Sequence, residues 1–239
     1  AEYIPVEGER ALGDATFEQI KEALAHNEFV PLQTCENPEG QAALDEMRDK
    51  LTASLVLDQE LRVFVLDHDM VNAFALPGGY VVFFRGLIEA ADAPEEVAAV
   101  FGHEIGHVVS RDPTRHALRS AGSIGVLGLM FGDFAGGAVV LFLAERLIDA
   151  QYSQDAETQA DHFAYQVLKD ANVSPAALGD VFQRLKDEYG ETDGIIAHFL
   201  SHPGLGRRID AAQAAASADD PVAPILDEDA WAALQNICK

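Results

Sequence analysis

The chain has 239 residues, of which 49% are hydrophobic and 23% charged, and it contains 19 Gly and 10 Pro. This composition excludes disordered, collagen-like and coiled-coil proteins, and the length suits one large domain or two small ones. The formal net charge of -24 at pH 7 repels polyphosphate, so we expect no nucleic-acid partner. Anionic lipid is disfavoured for the same reason.

The spacing of apolar residues predicts a chain that is mostly helical. Amphipathic helices are predicted, in chain order, at 16–27, 41–57, 94–111, 155–170, 175–189 and 207–216. The third of these begins at a proline followed by two acids, which is typical of a helix N-terminus.

Three short runs rich in β-branched and aromatic residues predict a small sheet before the helix at 94–111. The strands are expected at 61–66, 72–76 and 80–84. The sequence therefore predicts an α+β fold that is mainly α-helical, with one small β-sheet near its start.

The two cysteines, Cys35 and Cys238, stand near opposite ends of the chain without CxxC spacing. They offer neither a thiolate zinc site nor a redox motif. The sequence leaves open whether they remain thiols or form one disulfide, which would indicate an oxidising compartment such as a periplasm. A start at Ala1 rather than Met is what removal of a signal peptide would leave, and any other trimming would leave the same.

An HExxH pattern formed by His103, Glu104 and His107 lies inside the predicted helix 94–111. Histidines four residues apart project from one helix face and can share one metal ion. Glu104, next to His103, is placed to take a proton from zinc-bound water. Chance order would give this pattern in about 2% of such sequences, so the apolar setting of the helix strengthens the interpretation. Gly106 costs about 1 kcal/mol relative to Ala, which indicates close approach of another backbone.

A third metal ligand is expected from elsewhere, because a catalytic zinc keeps three protein ligands and one exchangeable position. Glu157 and Asp161 lie one turn apart on the predicted helix 155–170. Glu157 is the best candidate for the metal. Asp161 is the candidate that accepts the outer N–H of a ligand histidine and so fixes the tautomer of that ring.

Four stretches resemble, in order and spacing, the gluzincin metallopeptidase family of the CAAX prenyl proteases and the HtpX-like and BepA-like bacterial quality-control peptidases. They are NAFALPGGYVVFFRGLI (72–88), HEIGH (103–107), ETQAD (157–161) and SHPGLGRRI (201–209). The resemblance covers about 61–215 and implies a zincin-like catalytic domain with one zinc ion per chain. It implies His103, His107 and Glu157 as ligands and Glu104 as base, with Asp161 behind a ligand.

The resemblance also implies roles for His202 and Arg208, which match the HP-x4-R element of the family. The histidine is expected over the metal, and the arginine is expected to organise the site. Two roles for His202 stay open: donor to the oxyanion, or a fourth ligand that blocks the site until substrate displaces it.

A further implication concerns the run Asn72, Ala73, Phe74, Ala75 and Leu76, which resembles the edge strand that pairs with substrate backbone. Pairing of that kind reads backbone more than side chain, so we expect loose selectivity.

The sequence departs from the family in two places. Many bacterial members carry a His five residues after the second ligand, where this chain has Asp112, and this leaves the chemistry intact. The helical repeats that follow the catalytic region of BepA-like proteins are not seen, so the particular partners of that group are not carried over.

The residues Asp67-His68-Asp69 could form a second metal site. They fall in a predicted turn, however, and are interpreted as structural.

The apolar segment 121–144 carries only one charge, at Asp133, and is long enough to cross a bilayer. A single crossing would leave His107 and Glu157 on opposite sides, and two crossings need about 40 apolar residues. A hairpin is therefore expected, either folded on the body, dipping into lipid as a peripheral membrane contact, or forming an oligomer contact.

The sequence thus predicts a zinc endopeptidase that cleaves unfolded or misassembled polypeptides, with His202 as a candidate autoinhibitory residue. We expect a single domain, 1–239, with N-terminal helices at 1–60, a catalytic core at 61–215 and a C-terminal segment at 216–239. The expected location is periplasmic or otherwise extracytoplasmic, with membrane association left open. The alternatives are a zinc-stabilised chaperone or assembly factor with little proteolysis, and a membrane-surface scaffold, which the acidity disfavours.

Overall fold

The computed structural model describes residues 4–25, 31–119, 152–189 and 205–239. Its helices are α1 (Val6–Ala23), α2 (Pro38–Thr52), α3 (Arg85–Ala90), α4 (Pro94–Val109), α5 (Gln154–Asp170), α6 (Ala176–Tyr189), α7 (Leu205–Ala215) and α8 (Glu228–Gln235). Residues 112–119 are helical as well. Its strands are β1 (Arg62–Leu66), β2 (Ala73–Leu76) and β3 (Tyr80–Phe84). The predicted mainly helical α+β fold is confirmed.

The three strands form one sheet in the order β1-β3-β2, so β2 is an edge of the sheet within the described residues. β1 is parallel to β3, and β2 is antiparallel to β3. The β2–β3 hairpin turns at Gly78 and Gly79, whose φ angles of 81° and 86° lie in the region that glycine adopts without strain. The predicted strands agree with these bounds to within one residue.

The sheet separates two hydrophobic clusters. On one face, Phe17 and Ile20 of α1 pack against Phe74, Tyr80 and Phe84. On the other face, a larger cluster joins the sheet to α2, α4, α5, α6 and α8. Helix α4 is buried along nearly its whole length, because it packs against both the sheet and the neighbouring helices. The helix that carries the HExxH motif is therefore at the centre of the fold.

The start of α1 is the main error of the sequence prediction, which placed it at residue 16 instead of Val6. The buried face of its first turns carries Glu9, Leu12 and Gly13, so a continuous apolar stripe does not mark it. The side chain of Asp14, on the same helix, accepts hydrogen bonds from Arg62 and Tyr80 of the sheet. Polar contacts therefore hold a part of α1 that hydrophobic spacing does not reveal.

The bounds of α2 also differ from the predicted 41–57. The helix begins at Pro38 because the Asn37 side chain accepts hydrogen bonds from the backbone N–H groups of Glu39 and Gly40. It ends at Thr52.

The C-terminal segment contains a helix, α8, that the sequence did not predict. Asp227 caps its N-terminus by accepting a hydrogen bond from the backbone N–H of Ala230. The helix packs on α2, where the absence of a side chain at Gly40 lets the backbone of Ile237 approach.

Cys35 and Cys238 form a disulfide, so of the two alternatives that the sequence left open the structure has the paired one. The bridge joins the loop before α2 to the segment after α8.

The apolar segment 121–144 lies outside the described residues. Among the described helices, none combines the length and the hydropathy needed to span a bilayer.

We predict that removal of the disulfide destabilises the fold. The bridge links residues 203 positions apart and so restricts the unfolded chain, an effect typically worth about 2–4 kcal/mol. Reductant should therefore lower the midpoint of thermal unfolding of the wild-type chain. The Cys35→Ser/Cys238→Ser variant should unfold at the lower temperature with or without reductant. Equal midpoints in all four samples would contradict the prediction.

Candidate metal centre

Helices α4 and α5 bring together the three side chains that the sequence assigns to a metal. His103 and His107 lie one turn apart on α4, with their rings edge to face and the centroids 4.6 Å apart. Glu157 projects from the first turn of α5. The three residues are each no more than 1% exposed. They form one buried cluster.

The donor atoms of this cluster face one another. The Nε2 atoms of His103 and His107 are 3.0 Å apart. Glu157 places its Oε2 3.5 Å from the first of these nitrogens and its Oε1 3.6 Å from the second. A tetrahedral zinc ion with bonds of about 2.05 Å separates its ligand atoms by about 3.3 Å. The observed spacing therefore fits one ion of this size.

Each imidazole is held from behind by a carboxylate. The Nδ1 of His103 lies 2.8 Å from Asp161 Oδ1, and the Nδ1 of His107 lies 3.0 Å from Asp112 Oδ2. Because a carboxylate accepts the Nδ1 proton in each case, the Nε2 atoms are turned toward Glu157. Two ring nitrogens in contact beside a buried carboxylate need a positive charge among them, either a proton or a metal ion. The chemistry of the donor set thus fits a cation.

The environment acts differently on the two rings. Burial lowers the pKa of His103 to about 4, although the hydrogen bond to Asp161 opposes this shift. Burial also disfavours a charge on His107, but its hydrogen bond to Asp112 and the nearby carboxylates of Glu104 and Glu157 raise the pKa of that ring overall. Metal binding requires the Nε2 atom of each ring without a proton, so a bound cation would compete with protons for these two nitrogens.

Asp112 also belongs to the site. The sequence did not reveal that its carboxylate contacts the ring of His107. Helix α4 ends at Val109, and Arg111 then adopts a left-handed conformation with φ of 55°. This break returns the chain so that residue 112 lies beside the ring of His107. The signal in the sequence was an acid five residues after His107, but the contact depends on a turn that periodicity cannot predict.

Arg208 of α7 lies behind the cluster and is 7% exposed. Its Nε and Nη2 donate to the two oxygens of Asp161, each at 2.7 Å. Its Nη1 lies 3.1 Å from Glu157 Oε2, and the guanidinium stacks over the ring of Phe182. Burial alone would raise the pKa of Asp161, but the hydrogen bonds from Arg208 and His103 hold it well below its usual range. Asp161 is therefore an ionised acceptor for both.

Glu104, the residue after His103 on α4, lies next to the sheet. Its side chain is 2% exposed, and burial raises its pKa to about 8, against the opposing effect of positive charge on His107 and Arg208. The backbone N–H of Ala75 in β2 hydrogen-bonds to this carboxylate and also lowers the pKa. The HExxH glutamate thus stands between the two histidines and the edge strand.

The edge strand β2 runs past this glutamate. The carbonyl oxygen of Asn72 accepts a hydrogen bond from the backbone N–H of Phe84, and hydrogen-bonded positions alternate along an antiparallel pair. The backbone groups of Ala73 and Ala75 are therefore turned away from β3. Asn72 precedes the strand, and its buried side-chain amide has no hydrogen-bond partner within the part of the chain that the structure describes. The run 72–76 therefore lies along an edge of the sheet near Glu104, and each of its residues is no more than 1% exposed.

Close packing of α4 and α5 depends on Gly106, as the sequence analysis expected. A Cβ atom at this position would lie 2.9 Å from the Cα and 3.1 Å from the carbonyl oxygen of Ala160 in α5. The glycine therefore lets the backbone of α5 lie close to α4 one residue before His107, which allows Glu157 to reach the histidines.

Other predicted residues lie elsewhere. His202 falls in 190–204, outside the described residues. In the Asp67-His68-Asp69 cluster, Arg85 binds both acids and His68 accepts a hydrogen bond from the backbone of Met70, which agrees with a structural role.

A second set of metal-ligating residues is formed by Cys35, Asp67 and Cys238, whose ligand atoms lie within 4.8 Å of one another. The two sulfurs are bonded to each other, and Asp67 is paired with Arg85. We therefore assign this group to the disulfide and not to a metal.

The mainly helical fold, the small sheet and the buried His-His-Glu cluster on two packed helices define a zincin-like protein of the gluzincin type. The chain belongs to Peptidase family M48, whose family model matches residues 38–216. The family resemblance seen in the sequence is confirmed.

Three relatives illustrate this membership. The chain is 33% identical over 162 residues to the metalloprotease LoiP of Escherichia coli strain K12, covering 62% of this chain and 60% of that protein. It is 29% identical over 146 residues to the mitochondrial metalloendopeptidase OMA1 of Arabidopsis thaliana, covering 61% and 30%. It is 28% identical over 212 residues to the beta-barrel assembly-enhancing protease of Yersinia pestis, covering 84% and 42%. The chain therefore spans between 30% and 60% of the length of these relatives.

We predict that Gly106→Ala destabilises the protein, although alanine favours a helix by about 1 kcal/mol. The added methyl group meets the backbone of α5 and forces the helices apart, an effect typically worth about 1–3 kcal/mol. Gly102→Ala is the matched control, because its nearest contact is a side-chain methyl of Val167 at 3.1 Å. Chemical denaturation should give a lower free energy of unfolding for Gly106→Ala than for Gly102→Ala. The reverse order would contradict the packing argument.

Proposed function

We propose that the chain is a zinc endopeptidase that binds one Zn²⁺ through His103, His107 and Glu157. The observation that carries the proposal is the buried cluster of their donor atoms, 3.0 to 3.6 Å apart. Two histidine nitrogens and a glutamate are the donor set of a known class of catalytic zinc site. Membership of Peptidase family M48 supports a peptidase activity.

When bound, zinc acts as a Lewis acid and lowers the pKa of a coordinated water molecule to about 7. Glu104 is the proposed general base, which takes a proton from the attacking water and delivers it to the leaving amine. Its position beside His103 on α4 and its burial support this role. General acid–base catalysis typically contributes about 10²- to 10⁴-fold, so stabilisation of the oxyanion must supply much of the remaining rate enhancement.

Three further side chains are proposed to position the ligands. Asp161 holds the ring of His103, and Asp112 holds the ring of His107. Arg208 is proposed as an organising residue, because its guanidinium is already bonded to Asp161 and contacts Glu157. His202 is left as the candidate that donates to the oxyanion or blocks the site.

The proposed substrates are unfolded or misassembled polypeptides bound in extended form along β2. The support is the position of the strand, whose Ala75 backbone hydrogen-bonds to Glu104. The backbone groups of Ala73 and the carbonyl oxygen of Ala75 are turned away from β3, and the side-chain amide of Asn72, which lacks a hydrogen-bond partner within the described residues, offers a donor and an acceptor beside them. Recognition through backbone groups supports loose sequence selectivity.

We also propose that 1–239 forms a single metallopeptidase domain in a periplasmic or otherwise extracytoplasmic compartment. One hydrophobic cluster includes residues from α2 through α8, and the disulfide supports an oxidising location. A peripheral membrane contact or an oligomer contact through 121–144 remains part of the proposal. Flotation with liposomes, and sedimentation of the free chain, would test these two contacts.

We predict that Glu104→Gln abolishes peptide cleavage while zinc content and folding are retained. Glutamine is similar in size but cannot accept the proton, so casein digestion should fall by at least about 10²-fold. Glu18→Gln, on the exposed surface of α1, is the matched control and should cleave like the wild-type chain. Normal turnover by Glu104→Gln, after contaminating protease has been excluded, would contradict the assignment.

The two candidate roles of His202 give opposite predictions for His202→Ala. If the histidine blocks the metal, the variant should cleave casein faster than the wild-type chain, and if it stabilises the oxyanion, cleavage should fall by about 10²- to 10³-fold. A chelator should abolish the activity of both proteins. Absence of cleavage by both, with bound zinc measured in each, would favour the chaperone or assembly-factor alternative.

A further inference from the structure

The contact between Asp112 and His107 exists only because α4 is interrupted between them. In an uninterrupted helix, a residue five positions further on is rotated by about 140° and cannot face the same ring. Here α4 ends at Val109, and the left-handed residue Arg111 starts a new direction, from which residues 112–119 continue as a helix. The turn at Arg111 therefore determines whether a carboxylate lies behind His107.

The side chain of Arg111 is anchored to the N-terminal part of the chain. Its Nε donates to Glu9 Oε1 at 2.8 Å, and its Nη2 donates to the carbonyl oxygen of Ile4 at 2.8 Å. Glu9 is on the buried face of α1 and is 1% exposed. A left-handed conformation is unfavourable for a residue with a side chain, and these hydrogen bonds offset its free-energy cost at Arg111. Arg115, whose side chain is about half exposed, lies 3.6 Å from a carboxylate oxygen of Asp112.

We infer that Glu9 of α1 is a positioning residue of the metal centre, acting through Arg111 and Asp112 on the ring of His107. The inference rests on the proposed function, because its readout is the affinity for zinc. It assigns a role to α1, which precedes the region 38–216 that the family model matches. The N-terminal helix would thus be part of the zinc site without contacting the metal.

The competing explanation is that Glu9 and Arg111 form a buried ion pair that contributes only to stability. A pair of this kind would change the unfolding of the metal-free protein and leave the affinity for zinc unchanged. A positioning role requires a change in affinity that disappears once Asp112 has been removed, because Glu9 would act through that residue alone. A double-mutant cycle therefore separates the two explanations.

The experiment measures the dissociation constant of Zn²⁺ for the full chain by competition with a chromophoric chelator. Asp112→Asn removes the charge behind His107, and loss of such a partner typically weakens binding about 10- to 100-fold. We expect Glu9→Gln to weaken binding by about 10-fold on the same scale. Glu7→Gln, an exposed position on the same helix, is the matched control and should bind like the wild-type chain. In the Asp112→Asn background, Glu9→Gln should have no further effect.

Two outcomes overturn the inference alone: wild-type affinity in Glu9→Gln, or an effect of Glu9→Gln that persists undiminished in the Asp112→Asn background. Absence of zinc binding by the wild-type chain overturns the proposed function, and the inference with it. Circular dichroism and thermal unfolding of the metal-free proteins establish that each variant is folded. Should Glu9→Gln not fold, Arg111→Lys keeps the charge but not the paired hydrogen bonds, and the same cycle with Asp112→Asn applies to it.

Discussion

Three electron-rich donor atoms approach one another closely inside the protein, and the surrounding contacts hold them in this arrangement. Two imidazole nitrogens and a carboxylate repel one another in a medium without water, unless a positive charge lies among them. The fold holds them together through the carboxylates of Asp161 and Asp112 behind the rings and through Arg208 behind Glu157. Each of these contacts fixes an orientation that would otherwise relax.

The architecture around the cluster brings these donors together. Helix α4 must bring two residues of one face to the metal, and α5 must approach closely enough for a glutamate to meet them, which Gly106 permits. The sheet places its edge strand on the remaining side, where the backbone of Ala75 meets Glu104. The candidate metal centre therefore lies where two helices and an edge strand meet, and these elements also pack together through a shared hydrophobic cluster.

Local patterns in the sequence predicted much of this arrangement. The spacing of His103 and His107, and the acid pair at Glu157 and Asp161, place side chains on one helix face whatever the tertiary structure. The contact of Asp112 could not be predicted in this way, because it depends on a left-handed turn anchored by a distant helix. The start of α1 was missed for a related reason: its buried face carries polar residues and glycine, whose burial depends on tertiary partners. The pairing of the two cysteines likewise depends on the tertiary structure, which brings residues 203 positions apart into contact.

Anomalous X-ray diffraction above the zinc edge, from crystals of the full chain grown with one equivalent of Zn²⁺, would show directly whether the three donors bind zinc. We expect one strong peak, about 2.0 to 2.2 Å from the Nε2 atoms of His103 and His107 and from a carboxylate oxygen of Glu157. A map without a peak at this position, or with its peak beside Cys35 and Asp67, would contradict this expectation.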